Sequence, residues 1–139
     1  GDDYGRIGEA QASWFAERLR HFEESGWLRV GVVRHDPIPG ASGADDPATL
    51  RDATTLERLL GHRLSVLLHG PGPGGTSAEL LGDRLPVLPG AGPGRAEVVH
   101  LTAAGLRRYA TRGARPGEPF EAPVDLPVQH TDGSASTTG

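Results

Sequence analysis

Glycine and proline punctuate this chain so densely that no regular element in it can be long: 21 glycines and 12 prolines stand among 139 residues. Proline removes a backbone donor and glycine raises the entropy lost on ordering, so each helix or strand must fit between two breaks. No apolar run approaches the roughly 20 residues that span a bilayer, and no signal-peptide core is present. The expectation is one soluble, cytoplasmic domain with a single modest core. Cysteine is absent, which removes disulfides and thiolate metal sites. Lysine, asparagine and methionine are absent as well, and all 14 basic residues are arginine. Such a bias lowers what any single arginine or Gly-rich loop signifies. The net charge of -4, with acids and arginines interspersed, disfavours nucleic acid as a partner, because phosphate neutralisation supplies most of that affinity.

Periodicity predicts a helix over 9–25, where Trp14, Phe15, Leu19 and Phe22 recur at helical spacing and Gly26 follows as a C-cap. Residues 27–34 read as a strand stopped by Asp36-Pro37-Ile38-Pro39-Gly40. Residues 49–60 read as a second helix with a Leu56, Leu59, Leu60 stripe and Gly61 at its end. Strands are expected at 63–69 and 95–102, and 106–111 reads either as a fourth strand, the reading preferred, or as the start of a helix; a short helical turn is expected at 78–81 and a Pro/Gly-broken loop from there to Gly94. The fold class is α+β, a small and mainly antiparallel sheet of about four strands flanked by two helices. Residues 1–115 are taken as the domain, with 1–8 loosely ordered, and 116–139 as a Pro/Gly/Ser/Thr-rich tail. The large aromatics Trp14, Phe15, Phe22 and Trp27 are read as core or as the surface of a C2 homodimer.

Three runs then suggest a relationship: Thr54-Thr55-Leu56-Glu57, Leu64-Ser65-Val66-Leu67-Leu68, and Glu97 to Gly105 (EVVHLTAAG). In this order they resemble the first half of the chorismate lyase-like fold, over residues 52–115. The resemblance implies a small antiparallel sheet holding an organic acid. Chorismate lyases grip a dicarboxylate with strand arginines and use a glutamate from their second half. Here His69 stands at the first arginine position, Glu97 stands near the second with Arg95 two residues before it, and nothing after Arg115 matches. A competing resemblance is to winged-helix regulators, in Phe15 to Val30 (recognition helix and first wing strand) and Leu101 to Tyr109 (LTAAGLRRY). In that family the two pieces lie about 20 residues apart, and here about 70 intervene.

Histidines close or sit within the strand-like runs: His35, His69 and His100. Imidazole titrates near neutrality, so convergence at one sheet end would supply a general base and acid. His69, His100 and Glu97 are the candidate catalytic residues. Arg34, His35 and Arg95 are the candidate substrate-binding ones, since guanidinium pairs bidentately with carboxylate. No HxH or HExxH spacing points to a metal, the GPGPGG run (Gly70 to Gly75) has no lysine for a phosphate loop, and no cofactor is expected. That run is read as a flexible hairpin or lid. The expected function is a lyase, cyclase or isomerase working by cofactor-free acid–base chemistry on an organic acid or natural-product intermediate. The alternative is a winged-helix-like regulator or a non-catalytic ligand-binding domain.

Overall fold

The computed structural model describes residues 5–38, 47–70, 78–90, 92, 94–111, 113 and 115–129. Its elements are α1 (Glu9–Glu24), β1 (Val30–Val33), α2 (Ala53–Leu60), β2 (Val66–His69), β3 (Glu79–Leu81), β4 (Leu85–Pro89), β5 (Glu97–Thr102), β6 (Gly105–Ala110) and β7 (Val124–Leu126). The class is α+β, and most strand pairs are antiparallel. The strands divide into two sheets, however, ordered β1-β2-β4-β3 and β5-β6-β7. The first is mixed: β1–β2 and β2–β4 run parallel, and only β3–β4 is antiparallel.

Three layers follow from alternation along the buried strands. Leu67 of β2 and Leu85 and Val87 of β4 face the helices, where they pack with Ala12 of α1 and Leu56 and Leu60 of α2. Val66 and Leu88 face the other way and pack with Leu106 and Val128, flanked by Val99, Leu101 and Leu126 of the second sheet. Strands β2 and β4 are thus covered on both sides, as parallel strands require. Burying each of these leucines and valines contributes about 1.5–3 kcal/mol.

Strand β4 is the largest departure from the sequence reading, which left 82–94 as a loop because of its prolines. Every residue of β4 is buried. Pro86 lies one residue before the parallel register with β2 begins, and Pro89 sits at its last pair, so neither interrupts the ladder to β2 from within, although Pro86 is the middle pair of the short β3–β4 ladder. The Gly82-Asp83 turn that precedes β4 has positive φ at both residues (62° and 60°). That is the type I′ conformation, whose twist matches a tight hairpin. Residues 78–81, expected as a helical turn, therefore include strand β3.

Both ends of the chain are tied in more firmly than their composition suggests. The Asp52 carboxylate accepts hydrogen bonds from the backbone amides of Ile7 (3.0 and 3.1 Å) and Gly8 (2.7 Å), fixing the entry to α1. The stretch read as a tail contains β7, which pairs with β6, and buried Val128. Beyond it Gln129 donates its side-chain amide to the carbonyls of Gly61 (2.7 Å) and Leu64 (2.8 Å). Among the described residues no helix is long and apolar enough to cross a membrane.

Candidate functional site

Parallel neighbours β1 and β2 end side by side, and the residues that leave them form the most unusual polar cluster in the molecule. Gly70 donates its amide toward the carbonyls of Val33 and Arg34 (both 3.2 Å), and a Cβ added there would come within 2.6 Å of the Arg34 oxygen. Only glycine allows the two strand ends this close. His69 is the last residue of β2 and registers with Val33, so the chain leaving β1 brings Asp36 to it. Asp36 is fixed by its own backbone, which bonds Ala48 and Leu50 (2.8 Å each), and its carboxylate accepts from the Ile38 amide at 2.9 Å.

The two side chains meet in a nearly dry place. His69 and Asp36 are each 7% exposed, and His69 Nε2 stands 3.9 Å from Asp36 Oδ1. That separation is too long for a hydrogen bond. The other ring nitrogen, Nδ1, is fully buried with no hydrogen-bond partner among the described residues. A buried polar atom left unpaired costs about 1–3 kcal/mol, so such atoms are rare in folded proteins. His35, one residue before Asp36, is half-buried with its ring pressed against Gly5, where a Cβ would fall on the ring atoms. Arg34 is exposed, and its guanidinium has no partner among the described residues.

The remaining expected site residues lie in the second sheet, on the far side of the four-stranded one. His69 shares the helix-facing side of β2 with Leu67, whereas the second sheet packs against the opposite side. His100 is exposed on β5, opposite Arg107. Glu97 is held by Arg108 through bonds of 2.9 and 3.3 Å. Arg95 donates to the Thr111 carbonyl (2.7 Å) and to Glu121 (2.6 Å). Around Arg95, Arg108 and Glu121 there is only a cleft of about 40 Å³, room for little more than a water. Of the three histidines expected to converge, His69 stands beside Asp36, His35 packs on Gly5, and His100 lies on the second sheet. The Asp36-Pro37 pair had marked a turn, which hid the carboxylate behind the strand it terminates. The Gly/Pro run expected as a lid lies, apart from Gly70, outside the described residues.

Among the described residues no group of three or more His, Asp or Glu side chains is placed to hold a metal ion. No protein-family model matches the chain, and no curated protein matches it either.

Proposed function

We propose that the carboxyl ends of β1 and β2 bind a small organic acid, on which His69 moves a proton without a cofactor, in a reaction of the lyase, cyclase or isomerase type. The observation that carries this is the buried His69 ring, whose Nδ1 has no partner among the described residues and whose Nε2 stands near a buried carboxylate. With its proton on Nε2 and turned toward Asp36, the ring keeps a lone pair on Nδ1 and can act as a base there. Asp36 stabilises the imidazolium that forms, as a carboxylate behind a histidine does in hydrolases. Arg34, exposed and unpartnered one residue beyond β1, supplies the guanidinium for the substrate carboxylate. Ligands of open parallel sheets commonly sit outside the carboxyl ends of the strands, which supports this location. The chorismate lyase-like resemblance in 52–115 supports the same class of chemistry. His100, Glu97 and Arg95 have no part in this scheme.

The test is deuterium uptake from D2O at the acidic carbon of a panel of 2-oxo and 3-oxo carboxylates, followed by proton NMR. Exchange catalysed by the unaltered chain, lost in His69→Ala and kept in His100→Ala, is the expected outcome. Exchange that survives His69→Ala, or that never rises above the buffer rate, defeats the proposal.

The winged-helix alternative gains no support from the strand following α1. A wing would pair it with the next strand in an antiparallel hairpin, whereas β1 pairs in parallel with β2.

A further inference from the structure

The four-stranded sheet is open along one side. Strand β1 is its edge, and among the described residues nothing pairs with its outer rim. The direction of the rim groups follows from the inner ones. Arg29 and Val33 turn their carbonyls toward β2, accepting from Ser65 and Gly70, so the alternate residues Val30 and Val32 turn their amides and carbonyls outward. Their side chains are bare too, Val32 being 75% exposed. Proteins normally blunt such an edge with charge, proline, a bulge or a covering element, and β1 (VGVV) carries none of these.

The rim opens into an apolar groove of about 450 Å³ beneath α1. Phe15 and Leu19 of α1 form its roof, and Leu56, Leu60, Leu64 and Leu67 form its floor. Its polar contributors are Arg6 and Gln11. Gly5 abuts His35, so Arg6 stands at the carboxyl end of β1, the end from which Arg34 also projects. Neither guanidinium has a partner among the described residues. One end of a bare apolar edge is therefore positively charged, and the groove beside it is walled mainly by apolar side chains.

We infer that the β1 edge and the groove under α1 receive an extended peptide segment as a further strand, parallel to β1, with its carboxylate end at Arg6 and Arg34. Main-chain bonds to Val30 and Val32 would supply affinity, and an apolar side chain under Phe15 and Leu19 would supply selectivity, as in strand-addition recognition generally. Parallel direction continues the β1-β2-β4 arrangement, and it alone brings a C-terminal carboxylate to the two arginines. This inference shares Arg34 with the acid–base proposal but concerns the edge and not the His69 pair, so Val30 and Val32 amides and proton exchange at His69 report on them separately.

The probe is the peptide acetyl-SVTVTVE with a free C-terminus, titrated into the ¹⁵N-labelled chain. The expected result is shifted Val30 and Val32 amides that become protected from hydrogen exchange, with His69 unmoved. Adding N-methyl groups to the peptide on the residues that face β1 should abolish binding without touching the protein. Val32→Pro, which removes one outward amide and no β1–β2 bond, should weaken binding at least about tenfold. Arg6→Gln, or moving the acid to the peptide's N-terminus, should each weaken it about three- to tenfold. Binding indifferent to N-methylation, or unshifted β1 amides, overturns the inference. So does finding these amides already protected in the free chain by a dimer that Val32→Pro dissociates, because the edge would then belong to a second copy.

Discussion

The two sheets differ in how completely their polar side chains are answered. In the three-stranded sheet Arg108 is met by Glu97, Arg95 by Glu121 and the Thr111 carbonyl, and the surface Arg107 by Asp125. In the four-stranded sheet, His69 Nδ1 is buried, and neither it nor the exposed Arg6 and Arg34 has a partner among the described residues. The difference separates charge that holds a fold from charge held ready for something else. A buried ion pair is a closed arrangement, expensive to break and inert while intact. An orphaned imidazole weakens the fold slightly and persists where another role maintains it.

Breaking a closed pair should have the largest effect. Arg108→Ala leaves Glu97 in a site where its side chain is only 16% exposed, and should cost about 3 kcal/mol in urea unfolding. The double variant with Glu97→Leu should recover most of that loss. A single variant as stable as the parent would mean that the pair is not buried in solution. The matching change in the other sheet should go the opposite way. His69→Leu removes an unpaired polar atom from an apolar wall, so the chain should gain about 1 kcal/mol while losing proton-exchange activity. A loss of stability there would show that Nδ1 has a partner after all.

Acid unfolding gives the smallest and finest distinction. Burial, helped by Arg63, holds the His62 imidazole below its ordinary value of 6.5. The unfolded chain therefore takes up that proton first, and stability should begin to fall as pH drops below about 6.5. Asp125 is held below its ordinary value of 3.8 by its hydrogen bond to Arg107. Its contribution is present above that value and should vanish only as pH falls further, through the depressed one. Melting temperatures from pH 7 to pH 2 should show both steps, the first missing in His62→Gln and the second in Asp125→Asn. Because Arg107 and Asp125 lie on the surface, about 0.5 M salt should flatten the second step.

Legibility in the sequence followed the physics of each segment. Both helices were readable from helical spacing, α2 with its buried stripe at Leu56 and Leu60; in α1 the expected stripe was misplaced, since Trp14, Phe15 and Phe22 are exposed and Ala12 is the buried residue. The β5–β6 hairpin was readable because Val99 and Leu101 alternate with exposed residues. The β4 strand was not, since Pro86 and Pro89 argue against a central strand unless the ladder ends at them. The Gly82-Asp83 turn was the available signal, a pair suited to a tight hairpin. Parallel pairing was hidden because Val66, Leu67 and Leu68 form a continuous apolar run rather than an alternating one, the mark of a strand buried on both faces. Of the candidates, His35, His69 and Arg34 lie at the ends of β1 and β2, where the sequence put them. Asp36 was read as the start of a turn, and the pairing of Glu97 and Arg95 was not legible because Arg108 and Glu121 lie 11 and 26 residues away.

Gln129 bears on when this molecule becomes itself. Its amide holds two carbonyls at the junction of α2 and β2, and its own backbone N–H bonds the Ser65 carbonyl. On a ribosome adding roughly 5–20 residues per second, that side chain is made about 3–13 seconds after the junction it closes. Throughout that interval the nascent β1-α2-β2 unit must leave those carbonyls to water, and the entry to β2 is closed only by the last described residue of the chain.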